Sequence, residues 1–203
     1  MVRRKKTPRD YGDLTLDDLR RDYQIQSGVA PLFPAATPLE PSAWLRETLD
    51  KGLRMALVSE KARSEFIVAP ILVFLSGALE QPISVYSGVS FNVEPARGLK
   101  GVCDFILSKS PPLPTVQAPV LMMVEAKKND IEEGIGQCAA EMVAADIFNR
   151  NAANDTETVY GCVTTGETWQ FLELTANRLT IDQNRYFIDS TAKILGIMRQ
   201  ILA

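Results

Sequence analysis

The sequence predicts an α/β fold in which α-helices flank a central mixed β-sheet. Three observations support this prediction. Apolar residues recur at helical spacing before Gly77, the period changes to two from Pro82, and a helical segment then separates the third strand from later ones. The resulting order of helix, three strands, helix, further strands and helix is typical of a sheet covered by helices.

The chain divides into a short N-terminal segment and one predicted domain. Its 203 residues, 46% of them hydrophobic, are enough for one substantial core. Residues 1–41 contain several prolines and show little periodicity beyond an acidic amphipathic stretch from Leu14 to Tyr23. We therefore interpret residues 1–41 as an N-terminal arm and residues 42–203 as a single domain.

Two helices are predicted before the sheet. Ser42 is a suitable N-cap for a helix that reaches about Met55. A second helix begins near Ser59 and runs to Gly77, and Pro70 should kink it or end its regular hydrogen bonding, because proline has no N–H to donate.

Strands alternate with two later helices. The period-two segments predict strands at residues 83–91, 101–108, 120–127, 159–164 and 168–174, with an additional edge strand at 179–181. Asn129 and Asp130 are suitable caps for a helix that extends through Phe148, and residues 191–202 have the spacing of a final helix.

The composition restricts the available chemistry. The chain has no histidine, which removes the commonest general base, the commonest metal ligand and every Ser-His or Cys-His arrangement. Its three cysteines lack metal-ligand spacing and each lies in an apolar stretch, so we expect reduced core residues. Any catalysis must therefore use carboxylates, lysines or hydroxyls.

Charge and hydropathy bear on partners and location. No run of eighteen apolar residues is present, and the start has no apolar signal core, so we expect a cytoplasmic protein without a membrane partner. The net charge of −3 does not indicate a nucleic-acid binder. Positive charge is nevertheless concentrated near the N-terminus, as either a solvated tail or a binding segment, in Arg3, Arg4, Lys5, Lys6 and Arg9.

Three polar residues form the candidate chemical centre. Glu125 and Lys127 follow an apolar run and lie on one face of the predicted strand, since side chains alternate along a strand. Asp104 lies inside another apolar strand, where an unpaired charge would be costly. A divalent cation between Asp104 and Glu125 would compensate this charge. The equally simple alternative is an Asp104–Lys127 ion pair with Glu125 exposed.

The order of several segments resembles the PD-(D/E)XK restriction-endonuclease-like superfamily. The similarity spans about residues 59–174, and its last part is similar to nuclease domains of type I restriction enzymes. The segments are Glu60 to Leu72, Gly101 to Phe105, Val124 to Lys127, Gly136 with Gln137, and Val163 to Phe171. The chain departs from the pattern in having Cys103, not proline, before Asp104.

The resemblance implies a restriction-endonuclease-like core and a metal-dependent reaction. Asp104 and Glu125 would hold one or two Mg²⁺ ions, for which Mn²⁺ could substitute, with the Ala126 carbonyl as a further ligand. Lys127 would orient the attacking water or stabilise charge on the phosphate. These roles belong to a nuclease that hydrolyses phosphodiester bonds, with DNA the expected substrate.

Two helical positions would complete the site. In the family pattern an acidic residue from the first core helix joins the metal ligands, and Glu65 is preferred here over Glu60, which suits the helix N-terminus. Gln137 follows two glycines near a helix start, where it could help to bind phosphate, or it could simply pair with Glu141 one turn on.

Two non-enzymatic functions remain as rivals. The fold could serve as a catalytically weak or inactive module that binds nucleic acid or a protein. Alternatively, the chain could be an interaction subunit whose N-terminal arm mediates a homodimer or a larger complex. The acidic composition favours the binding module, whereas the combination of Asp104, Glu125 and Lys127 favours the enzyme.

Overall fold

A computed structural model of the chain describes residues 9–56 and 58–203. The basic residues Arg3 to Lys6 lie outside the described residues. Within the described ranges, a mixed sheet has the strand order β1-β7-β6-β5-β4-β3-β2, and β8 adds to β6. The strands are β1 Gln26–Ala30, β2 Ser84–Ser90, β3 Val102–Ser108, β4 Val120–Ala126, β5 Thr158–Thr164, β6 Thr168–Thr175, β7 Arg178–Asp182 and β8 Tyr186–Phe187.

Helices cover both faces of this sheet. They are α1 Leu16–Tyr23, α2 Ala43–Met55, α3 Glu60–Arg63, α4 Ala69–Ala78, α5 Glu132–Asn151 and α6 Thr191–Leu202. Side chains of α1 and α5 share one apolar core cluster with the sheet. Side chains of α2, α4 and α6 share the other. The predicted α/β class, with a mixed sheet between helices, is confirmed.

The centre of the sheet is built on β4. It pairs antiparallel with β3 and parallel with β5, and α5 makes the connection from β4 to β5. Most of β4 is buried, as expected for an apolar strand with helices on both sides. Met123 lies in the cluster that contains α5, so Glu125, two residues further on, faces the same helix.

The segment predicted to be an arm is, from Arg9 onward, part of the fold. Strand β1 pairs in parallel with β7, and Leu19 and Ile25 are buried in the core. The strand expected at residues 179–181 is present as β7, but its expected position at the edge of the sheet is wrong, because β1 pairs with its outer side. Strand β1 has the sequence Gln-Ser-Gly-Val-Ala, whose lack of clear alternation leaves its pairing to tertiary contacts.

The predicted irregularity near Pro70 is confirmed as a π-helical turn. Residues Ser64–Val68 form this turn between α3 and α4, and Ala69 N–H donates to Ser64 O. Because Pro70 cannot donate, the carbonyl of Phe66 lacks its usual helical partner. A side chain at Gly52 of α2 would collide with that carbonyl. Helix α2 therefore packs directly against the turn, which orients α3 towards β4.

Candidate active site

Asp104 is fixed at the end of the β3–β4 pair. The register joins Phe105 to Val124, and just beyond it Asp104 Oδ2 accepts a hydrogen bond of 2.8 Å from Ala126 N–H. Burial raises the pKa of Asp104, and this backbone hydrogen bond opposes the rise. The carboxylate is thus held beside β4 by one of its two oxygens.

Glu125 and Lys127 form a partly buried ion pair. Lys127 Nζ lies 2.6 Å from Glu125 Oε1, and the two side chains are 16% and 2% exposed. The same-face prediction for these residues is confirmed. The alternative with Glu125 exposed is wrong, and Lys127 pairs with Glu125 instead of Asp104, because α5 covers the Glu125 side of the strand.

Lys127 also contacts the start of α5. Its Nζ donates to Gln137 Oε1 at 3.0 Å, and Gln137 Nε2 donates in turn to Glu141 Oε1 at 3.2 Å. The pairing of Gln137 with Glu141, which was the simpler alternative, is therefore present. It coexists with a direct contact from Gln137 to the candidate centre.

Two glycines allow these close contacts. A Cβ atom at Gly134 would lie 2.5 Å from Val163 Cγ1 and 3.1 Å from Lys127 Cγ, so the lysine stem rests against the first turn of α5. A Cβ atom at Gly136 would lie 2.7 Å from the carbonyl oxygen of Leu14. The N-terminal segment thus packs directly beside Gln137 and forms one wall of the site.

The buried charges influence one another. Burial, reinforced by the charge of Asp104, raises the pKa of Glu125 to about 7, although Lys127 opposes the shift. Burial acts to lower the pKa of Lys127, but the charge and hydrogen bond of Glu125 outweigh it and the pKa is raised. Lys127 is therefore a cation at neutral pH in the metal-free protein.

Two carboxylate oxygens in this centre have no hydrogen-bond partner. Glu125 Oε2 and Glu141 Oε2 are both buried and unpaired among the described residues. Burial raises the pKa of Glu141 well above its usual range, and the charge of Glu125 adds to this effect. An unpaired buried carboxylate oxygen is costly unless a proton or a cation meets it.

Helix α3 and the π-helical turn border an open cleft beside Asp104. The cleft has a volume of about 300 Å³ and includes Glu60, Glu65 and Gly88 in its lining. Glu65 is 53% exposed and pairs with Lys61 at 3.2 Å. The charge of Glu60, by contrast, acts to raise the pKa of both Glu125 and Lys127. This electrostatic influence, together with the exposure of Glu65, favours Glu60, the alternative in the sequence prediction, as the acid of the site.

Other aromatic and basic side chains are structural or peripheral. Trp169 and Phe171 are fully buried in the core, where they pack, whereas Trp44 is 52% exposed. Lys128 is exposed next to Lys127, just beyond the end of β4. The three cysteines are buried and free, as predicted.

Metal-ligand candidates are few. In the described ranges, no group of three or more Asp, Glu, His or Cys side chains is arranged to hold a metal ion. Asp104 and Glu125 therefore provide two carboxylates rather than a complete protein cage. This number suffices for Mg²⁺, which usually keeps several waters and substrate oxygens in its coordination shell.

Comparisons with known proteins do not assign the chain to a family. No protein-family model matches it, and none of the curated proteins is significantly similar to it. Among the residues with described structure, no helix is both long and apolar enough to cross a bilayer.

Proposed function

We propose that this protein is a metal-dependent nuclease with a restriction-endonuclease-like core, and that it hydrolyses phosphodiester bonds of nucleic acid, DNA foremost. The observation that most supports this proposal is the unpaired, buried Glu125 Oε2 beside Asp104 and Lys127. A carboxylate pair next to a lysine at the end of two central strands is suited to binding a cation and a phosphate together.

The residues of the centre fit a hard divalent cation. Asp104 would use its remaining carboxylate oxygen and Glu125 its unpaired Oε2, with the Ala126 carbonyl and a helical acid, Glu60 or Glu65, as further ligands. A bound Mg²⁺, or Mn²⁺ in its place, supplies polarisation of the scissile phosphate and a more acidic water. Without a cation, phosphate would be repelled by these carboxylates.

Lys127 is the side chain by which the protein contributes a positive charge to the site, in addition to the cation. In the protein alone, the charge of Glu125 raises the pKa of Lys127, and we assign its ammonium group as a hydrogen-bond donor to a phosphate oxygen or a water. Glu125 and Gln137 hold its Nζ at 2.6 and 3.0 Å, which fixes the ammonium group before substrate binds. Such a fixed donor stabilises charge that develops in the transition state.

A cleavage assay tests this proposal directly. Single- and double-stranded DNA and RNA are incubated with Mg²⁺, Mn²⁺ or EDTA, using wild type, Glu125→Ala, Lys127→Ala and the matched control Lys128→Ala. We expect metal-dependent cleavage that both site variants lose and the neighbouring lysine variant keeps. Equal activity in all four proteins would show that the site is assigned wrongly.

A second candidate is a module of the same fold that binds nucleic acid or a protein with little turnover. The net charge of −3 and the limited set of metal-ligand side chains among the described residues favour it. Tight nucleic-acid binding that weakens as salt rises, with no cleavage in any metal, would support this module.

A further inference from the structure

We propose that Glu141 is a positioning residue that fixes the catalytic lysine, Lys127, through the side-chain amide of Gln137; this proposal rests on the proposed nuclease function. The relay runs from Lys127 Nζ to Gln137 Oε1 at 3.0 Å and from Gln137 Nε2 to Glu141 Oε1 at 3.2 Å. Among the described residues, Glu141 makes no hydrogen bond to Asp104 or Glu125, and it does not line the open cleft.

Glu141 is completely buried, a position that is unfavourable for an acid with only a structural role. The residue is 0% exposed on the sheet-facing side of α5, beside buried residues that include Cys138, Ala140 and Met142. Its Oε2 has no partner among the described residues. An apolar side chain of similar volume would avoid this desolvation. Among the described residues, the hydrogen bond that its carboxyl group makes is the one it accepts from Gln137.

The two ends of the Gln137 side-chain amide explain why the position of Lys127 depends on Glu141. A glutamine can present either its oxygen or its NH₂ group to a neighbour, and the two ends differ in charge. Lys127 can only donate, so it needs the oxygen. An acceptor at Glu141 Oε1 holds the NH₂ end, which leaves Oε1 of Gln137 directed at the lysine. Without that acceptor, the amide loses its preferred orientation and Lys127 loses one of its two fixed contacts.

The backbone supports the same relay. Gly136 lets Leu14 O approach α5 next to Gln137, and Gly134 lets the Lys127 stem lie on the first helical turn. Gln137 and Glu141 lie one helical turn apart, so their side chains meet on one face of α5. Both ends of the relay are thus held by regular structure, and the amide orientation is the part that Glu141 determines.

Kinetics of metal-dependent DNA cleavage test the positioning role. We expect Glu141→Leu to lower kcat by about 10- to 100-fold, the usual loss when an outer partner of a site is removed, with little change in KM. Glu141→Gln keeps an acceptor oxygen and should restore most of kcat. Met142→Leu, a volume-conserving change at the next buried position, is the matched control and should behave as wild type.

A double variant separates the relay from general destabilisation. If Glu141 acts through Gln137, Gln137→Ala combined with Glu141→Leu should lose no more kcat than Gln137→Ala alone. If the double variant instead shows the product of the two single losses of kcat, the proposal is overturned. Wild-type kcat in a folded Glu141→Leu protein would also overturn it. If that variant does not fold, Glu141→Met replaces it in the same cycle.

The side-chain NH₂ resonances of Gln137 provide a readout that is independent of activity. In wild type we expect them to be shifted and protected by the bond to Glu141, and in Glu141→Leu to move towards values of a free amide. Unchanged resonances would overturn the positioning role. If wild type cleaves no substrate but the resonances move as expected, the nuclease proposal fails while the relay stands.

Discussion

Glu125 Oε1 meets Lys127 Nζ at 2.6 Å, while the other oxygen of the same carboxylate lies buried with no partner. The two oxygens therefore have different roles. One holds the lysine, and the other is available to a cation, with Asp104 on the neighbouring strand. In the proposed nuclease, this division would let one strand end combine a cation site with a fixed ammonium group.

Removing either carboxylate should weaken cation binding. We expect Asp104→Asn and Glu125→Gln each to raise the Kd for Mn²⁺ by at least about tenfold, because each removes a charged oxygen ligand. Titration calorimetry with Mn²⁺ measures the change, and Glu133→Gln, an exposed acid in the first turn of α5, is the control. Unchanged affinity in both site variants would rule out this pair as the metal ligands.

The acid from the first core helix can be identified by a matched pair of variants. Glu60→Gln should weaken Mn²⁺ binding and lower kcat, because its charge acts on Glu125 and Lys127. Glu65→Gln should have little effect, since this side chain is half exposed and pairs with Lys61. A larger loss of kcat in Glu65→Gln than in Glu60→Gln would instead support Glu65, the acid that the sequence prediction favours.

Gly134 should be sensitive to the smallest substitution. Its Cβ would lie 2.5 Å from Val163 Cγ1 and 3.1 Å from Lys127 Cγ, so Gly134→Ala must displace one of them. We expect a loss of about 1–3 kcal/mol in the free energy of unfolding, together with reduced kcat. Gly77→Ala is the control, because its Cβ would meet nothing within 4 Å. Denaturant unfolding measures the stability of both variants. Equal free energies of unfolding would contradict the packing described for α5.

The stability of the protein should depend on pH through Glu141. Burial raises its pKa, so the folded state retains a proton that the unfolded state releases above its ordinary pKa. Wild type then loses up to about 1.4 kcal/mol per pH unit until the folded pKa is reached. Glu141→Gln removes this loss, so its stability advantage should be absent near pH 4 and grow towards neutral pH. A constant difference in urea unfolding across this range would contradict the assignment.

The sequence predicts most of the fold where local patterns agree with burial. Helices α2 and α6 and strands β2 to β6 lie within a residue or two of their predicted bounds. Strand β1 is the clear omission, because residues 26–30 have no strong alternation and pair only through contact with β7, over 150 positions away in the chain. The N-terminal segment likewise gains its structure from packing against α5.

The candidate site is predictable from the sequence only in part. Strand periodicity places Glu125 and Lys127 on one face, and the apolar surroundings of Asp104 indicate that it needs a partner. The role of Glu141 is not visible in this way, because α5 is buried on most of its circumference and shows no clear polar face. Likewise, the spacing of Glu60 and Glu65 does not reveal which one serves the site, since Glu65 lies in a π-helical turn that departs from regular α-helical spacing.

In the proposed nuclease, Asp104 and Glu125 hold a divalent cation beside Lys127. A crystal structure of the protein soaked with Mn²⁺ would locate this cation through the anomalous signal of the metal. We predict a peak within about 2.5 Å of a carboxylate oxygen of each residue, with Glu125 Oε1 still bound to Lys127. A fully soaked crystal with no peak between Asp104 and Glu125, or with the metal bound elsewhere, would rule out this cation site.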